Sequence, residues 1–276
     1  MRCDVVGKIG SMALIQRAEM DIDYNILSKV ALDLRPGMIW VTSGAVEVGR
    51  LDYMKRHGRE LAGEREDIKA DYAAQGQSIL MASYRQFARP ELSLRQVLVE
   101  HQHFNDQVKR EYIKKLLYRS IGQGAVPIIN YNDPVSDEEI RKMELNSLRE
   151  TGGSVVECVD NDETAAVICG LMEAKYLIIL TSTDGIYRDP SDPGTLVRDV
   201  VRPDAESLTA AVRSLKDRCD GASREGANGA RAKLEFALKP ALAGATVIIA
   251  NAKYHIDALI RSEAPQTRIG ICKGGY

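Results

Sequence analysis

The chain has 276 residues, 45% of them hydrophobic, which is enough to bury a large core as one large domain or two small ones and leaves no expectation of disorder. Its 37 Lys and Arg against 39 Asp and Glu give a net charge of -2, so no overall field draws in a polyanion such as DNA or an anionic membrane surface. Five cysteines, Cys3, Cys158, Cys169, Cys219 and Cys272, are widely spaced, odd in number and never in a C-x-x-C pair; they argue against a disulfide framework or a zinc site and for reduced, mostly buried thiols.

The N-terminus enters a strand-like run, Cys3 to Ile9, without a basic segment followed by a long apolar one, and no apolar run approaches the ~20 residues that span a bilayer, so the chain reads as cytoplasmic. That strand ends in Gly7-Lys8-Ile9-Gly10-Ser11, a lysine between two glycines at the edge where α/β sheets bind ligands, or equally a surface lysine on a turn. A second strand, Met38 to Thr42, breaks into Ser43-Gly44 and resumes as a helix. Free N–H groups and a helix dipole there suit an anion, although a tight turn explains the same residues. Residues 55 to 68 are heavily charged and read as an exposed excursion before a helix carrying Gln75, Gly76 and Gln77. After a third strand, Arg95 to Val99, His101 and His103 read as surface or loop residues. Spacing then predicts a helix over 105 to 120 with Val108, Tyr112, Ile113, Leu116 and Leu117 on one face and the basic run Lys109 to Lys115 solvated.

A fourth strand, Val126 to Ile129, leads into a long irregular stretch, residues 131 to 159, with Asn132-Asp133-Pro134 and Gly152-Gly153; such a stretch is more often a functional loop or lid than filler. Asp160-Asn161-Asp162-Glu163 then opens a helix running to Met172. Capping accounts for part of this acidity, and the surplus suits holding lysines or an ammonium group. The strand Tyr176 to Thr181 runs into Ser182-Thr183-Asp184-Gly185-Ile186-Tyr187 and Asp189-Pro190, a turn of the kind that holds a base and ribose, or an ordinary turn. Gly226 to Lys233 places glycines before a helix whose first turn carries a cation, another anion site. Spacing predicts a helix over 230 to 243 with Leu234, Ala237, Leu238, Ala241 and Leu242 on one face, and the strand Thr246 to Ala250 and a last strand near Ile271 follow. Gly221 and Gly226 have P-loop spacing, but Ala227-Asn228 replaces the required Lys-Ser/Thr, and no G-x-G-x-x-G follows the first strand. Strands alternating with helices imply a mainly parallel sheet covered by helices, with the segments at 7–11, 42–45, 181–187 and 226–233 on one edge.

In order and spacing, Lys8-Ile-Gly-Ser11, Thr42-Ser-Gly-Ala45, Gln75-Gly-Gln-Ser78, Ile129-Asn-Tyr-Asn-Asp133, Asp160-Asn-Asp162, Thr181-Ser-Thr-Asp-Gly-Ile-Tyr187 and Gly229-Ala-Arg-Ala-Lys233 resemble the motifs of the amino acid kinase family, most closely those of its glutamate-phosphorylating branch. The resemblance covers almost the whole chain. It implies a three-layer α/β/α architecture with an open, mainly parallel sheet of the carbamate kinase-like type. Residues 1–276 would form a single domain, its part up to about 155 binding the acceptor and its part from 156 binding the nucleotide, without the RNA-binding-type C-terminal domain of some relatives.

The resemblance further implies that Lys8 and Lys233 contact the transferred phosphoryl group while Asp162 holds both lysines. Ser43, Gly44, Asn130, Asp133, Asp160 and Asn161 would surround the amino acid, and Gly10, Thr181, Ser182, Asp184, Gly185, Tyr187 and Gly229 the nucleotide. ATP and Mg²⁺ are implied, without dedicated protein metal ligands, together with a homo-oligomer and proline as a feedback inhibitor. The chemistry agrees independently, because a γ-carboxylate of reference pKa ~4.3 is ionised at pH 7 and attacks without a general base. What it needs is relief of charge repulsion, which lysines, backbone N–H groups and Mg²⁺ provide.

Some residues depart from the family pattern. Tyr131 stands where the family has Glu, Ser182 where the glutamate-phosphorylating branch has Asp, and Ser11-Met12 where it has Thr-Ser; the stretch from Asp133 to Asp160 is longer by roughly a dozen residues. A kinase of another small acid or of a nucleoside monophosphate therefore stays open, as does a non-catalytic binding protein. Retention of Lys8, Asp162 and Lys233 argues against the last, since a protein released from phosphoryl transfer has no evident need for two lysines clamped by one acid.

Overall fold

The structure, a computed structural model, describes residues 2–16, 18–136, 138–150, 155–158, 161–219 and 227–272. Its strands are β1 (Val5–Ile9), β2 (Ile15–Gln16), β3 (Asp21–Ile22), β4 (Met38–Val41), β5 (Leu94–Val99), β6 (Val126–Tyr131), β7 (Tyr176–Thr181), β8 (Asp199–Arg202), β9 (Thr246–Asn251) and β10 (Gln266–Ile271). The helices are α1 (Ser11–Leu14), α2 (Tyr24–Asp33), α3 (Ala45–His57), α4 (Arg65–Phe87), α5 (Gln102–Asn105), α6 (Gln107–Gly122), α7 (Glu138–Glu150), α8 (Asn161–Met172), α9 (Ala205–Cys219), α10 (Ala227–Leu242) and α11 (Ile256–Ile260).

Eight strands form one sheet in the order β5-β6-β4-β1-β7-β9-β10-β8, parallel throughout except that β10 runs antiparallel to β9. The central strands β1, β4 and β6 are buried along their whole length, which explains their unbroken apolar sequences. Alternation along each strand divides the core in two. Val6, Ile39, Ile129 and Ile179 pack beneath α6, α8, α9 and α10, whereas Val5, Met38, Ile128 and Ile178 pack beneath α2, α3, α4 and α11. The mainly parallel sheet expected from the alternating pattern and the three-layer architecture implied by the resemblance are both present. The short ribbon β2-β3 and the edge strand β8 carry too little apolar periodicity to be read from sequence.

Gly49 and Gly76 set the packing that matters most for the site. A Cβ on Gly76 would lie 1.8 Å from the Ala45 carbonyl oxygen, and one on Gly49 would lie 1.8 Å from that of Tyr72, so α3 and α4 touch backbone to backbone. This contact brings the start of α3 against Gln77. Gly76→Ala is expected to lower stability by about 3 kcal/mol in urea titration, because the helices have to separate. Gly170→Ala, where nothing lies within 4 Å, is expected to gain up to about 1 kcal/mol from helix propensity alone. Equal effects at the two positions would contradict the packing argument.

Three expectations need correction. On α6 the buried stripe is Ile113, Leu117 and Ile121, while Val108 and Tyr112 are 78% and 64% exposed; Val108 lies about 140° round the helix from Ile113, too far to share its face. His101 is buried rather than at the surface, with Nε2 2.8 Å from Glu144 of α7. The stretch from 131 to 159 is not merely irregular, since it contains the 13-residue α7, anchored by buried Leu145. Of the cysteines, Cys3, Cys158 and Cys169 are buried, with burial pushing each thiol up to about 12, and Cys272 is exposed.

Candidate active site

The C-terminal ends of β4, β1 and β7 lie side by side because those strands are neighbours in the sheet. Lys8 of β1 reaches Asp162 in the first turn of α8, its Nζ 2.5 Å from Oδ1. Lys233 of α10 reaches the same carboxylate from the other side, its Nζ 3.1 Å from Oδ2, and donates a second, longer hydrogen bond to the Gly229 carbonyl at 3.3 Å. The side chains of Lys8, Asp162 and Lys233 are only 5%, 1% and 15% exposed. Burial alone would push the Asp162 carboxyl up, but the two ammonium groups overcome this and hold it below the usual carboxylate range. Two cations against one anion leave the triad one positive charge in excess in a poorly solvated place. An incoming anion removes that cost.

Beside the triad a chain of side-chain hydrogen bonds links four segments. Asn161 Nδ2 donates to Ser43 Oγ at 3.2 Å and to Asn130 Oδ1 at 3.3 Å, and Asn130 Nδ2 donates to Gln77 Oε1 at 2.6 Å. Gln77 Nε2 and Asn161 Oδ1 are buried without a hydrogen-bond partner. A spare donor and a spare acceptor in one polar row fit a ligand bearing both kinds of group. Gly44 caps α3 in the left-handed region, φ 94°, and aims the first N–H groups of the helix at the same edge. Of the two hydroxyls before it, only that of Ser43 joins this row. Thr42 is fully buried, its Oγ1 3.0 Å from the Tyr84 hydroxyl, which also accepts from Trp40 Nε1. Asp133 sits in a 3-10 turn packed on α4; burial pushes its carboxyl up, and Lys69 and Arg141 offset part of that shift. Asp160 lies outside the described residues, as do 220–226, and with them the glycines before α10.

The segments expected at the nucleotide lie one strand over. Gly10 N–H donates to the Leu180 carbonyl at 3.0 Å, tying the end of β1 to β7. Beyond Thr181, the Ser182 carbonyl accepts from Asn251 Nδ2 at 3.0 Å, and Asp184 pairs with Lys253 at 3.0 Å. Gly185 has φ 153° and leaves no room for a Cβ, which would fall 2.5 Å from Thr267 Oγ1. That hydroxyl accepts from the Ile186 N–H and donates to the Val197 carbonyl, fixing the turn, and Tyr187 closes it by a backbone bridge to Leu196. Gly229 lies beside Lys233, not against this turn.

Sequence reasoning did not single out Gln77, Lys253 or Arg141, which stand beside these candidate residues. A buried amide on α4 becomes visible only through the glycine contact, and Lys253 only through the pairing of β7 with β9. Among the described residues no group of three ligating side chains could hold a metal, and no helix is long and apolar enough to cross a membrane.

Residues 5–251 match the model of the amino acid kinase family. Glutamate 5-kinase of Gloeobacter violaceus is 32% identical over 98% of this chain and 69% of its own length; that of Streptomyces coelicolor is 30% identical over 92% and 63%. The carbamate kinase of Giardia lamblia, solved with AMP-PNP, superposes with a TM-score of 0.59 over 98% of this chain and 99% of its own, at 13% identity, and so speaks for the fold alone. With a family match over that much of the sequence, and its segments meeting at one edge of the sheet in this order, the chain belongs to the amino acid kinase family.

Proposed function

We propose that this chain transfers the γ-phosphoryl group of ATP to the γ-carboxylate of L-glutamate, giving L-glutamyl 5-phosphate, the first step of proline synthesis. The observation that carries the reading is the buried Lys8–Asp162–Lys233 triad with its surplus positive charge. Phosphoryl transfer spreads negative charge over the equatorial oxygens of the moving group, and two lysines held by one acid meet that charge without rearranging. Asp162 has no proton to give or take; it keeps the ammonium groups apart and aimed. The acceptor carboxylate needs no base at pH 7, so catalysis consists of alignment and charge neutralisation.

The part of the chain up to about residue 155, joined by Asn161 at the start of α8, supplies the acceptor site. Ser43, Asn130, Asn161 and Gln77 line it, with the spare amide donor and acceptor available to an amino acid. Asp133, whose charge is disfavoured by burial, is relieved by an ammonium group. The remainder, joined by Gly10 at the end of β1, supplies the nucleotide site, with Thr181, Ser182, Asp184, Gly185, Tyr187 and Gly229 around it. The nearby carboxylates Asp162 and Asp184 are engaged by lysines, so Mg²⁺ fits as a partner of the nucleotide, coordinated by phosphate oxygens and water. When bound it would offset charge on the β- and γ-phosphates.

The test is ADP release from Mg-ATP with L-glutamate, L-aspartate, N-acetylglutamate, UMP and carbamate, with hydroxylamine to trap an acyl phosphate. Glutamate-dependent hydroxamate is expected. ADP release with UMP alone would move the chain to nucleoside monophosphate phosphorylation, and no release with any acceptor would favour a binding protein.

A further inference from the structure

α7 is seated, not loose. Leu145 is buried beneath it, Glu144 pairs with buried His101 at 2.8 Å, and Arg149 pairs with Glu157. One turn before Leu145, on the same face, stands Arg141. Its guanidinium lies 5.9 Å from the ring centroid of Tyr131 and against the Tyr131 hydroxyl, and its Nε is buried without a hydrogen-bond partner. The ion pairs of α7 engage Lys142, Glu144 and Arg149, and among the described residues none engages Arg141. Tyr131 gives the guanidinium a surface to stack on but no negative charge. The fields of Lys69 and Arg141 both reach Asp133, and that of Arg141 also reaches Glu138, yet among the described residues Arg141 forms an ion pair with neither carboxylate.

A cation and an anion held near each other without pairing, each partly desolvated, are costly unless a ligand bridges them. The head group of an α-amino acid has the matching charges on one carbon, an ammonium for Asp133 and a carboxylate for Arg141. The planar guanidinium fork suits a carboxylate better than a lysine would. Resting on the proposed reaction, we infer that Arg141 binds the α-carboxylate of the acceptor, which makes α7 a specificity element selecting acids with a second carboxylate next to the amine.

The discriminating ligands are L-glutamate and 4-aminobutyrate, which is glutamate without its α-carboxylate. Both are titrated calorimetrically into the wild-type chain, Arg141→Ala and Arg141→Lys, with an unhydrolysable ATP analogue present. Arg141→Ala is expected to weaken L-glutamate binding by about tenfold to a hundredfold and to leave 4-aminobutyrate unchanged, with Arg141→Lys in between. Equal weakening of both ligands would mark Arg141 as structural only and overturn the inference, as would unchanged L-glutamate binding or none to the wild-type chain. If L-glutamate binds through Arg141 but no hydroxamate forms in the kinase assay, the reaction is wrong and the carboxylate site stands.

Discussion

Lys233→Ala is expected to lower turnover by a factor of about a hundred to a thousand, the usual loss when one preorganised charge-stabilising group leaves an active site. The fold should survive. Among the described residues Lys233 is bound by Asp162 and, weakly, by the Gly229 carbonyl, and its removal leaves Lys8 and Asp162 as a neutral pair 2.5 Å apart. Nor should the affinity for the acceptor change much, because the row formed by Ser43, Asn161, Asn130 and Gln77 does not use Lys233. The loss therefore falls on kcat with KM for glutamate nearly constant, the signature of an interaction made in the transition state. Steady-state kinetics beside a melting curve decide the matter; a near-normal kcat would remove Lys233 from the reaction.

Asp162→Asn combines two losses. The amide keeps the shape but gives up the charge, leaving two poorly solvated ammonium groups facing each other; removing one partner of a buried ion pair costs about 3–5 kcal/mol. Activity should fall as well, since the lysines then repel each other out of alignment. pH dependence separates this mechanism from a generic defect. The folded-state pKa of Asp162 is depressed, so its contribution to stability is complete above the unfolded value of ~3.9 and is lost as pH falls through the folded value. The stability gap between wild type and variant, read from urea titrations, should hold from pH 8 down to about 5 and narrow below about 4. A gap under about 1 kcal/mol at pH 7 would mean that the triad is well solvated and that the charge argument fails.

Apolar strands alternating with helices, and the glycines, hydroxyls and charges at strand ends, were legible in the chain itself, because backbone periodicity and turn chemistry are local properties. They sufficed for the layered parallel sheet, whereas Lys8, Asp162 and Lys233 were named together through the resemblance to the amino acid kinase family. The tertiary structure decided which of these residues meet. Thr42 and Ser43 are equivalent on paper, yet strand alternation sends one hydroxyl into the Trp40–Tyr84 cluster and leaves the other to Asn161. Gln77 enters the site because Gly49 and Gly76 let two helices touch, and buried His101 meets Glu144 of α7, 43 residues away in sequence. Arg141 acquires meaning from Tyr131 and Asp133, which are near it in space through the seating of a helix held by buried Leu145. Burial and pairing are properties of surfaces brought together from distant parts of the chain, and no local pattern encodes them.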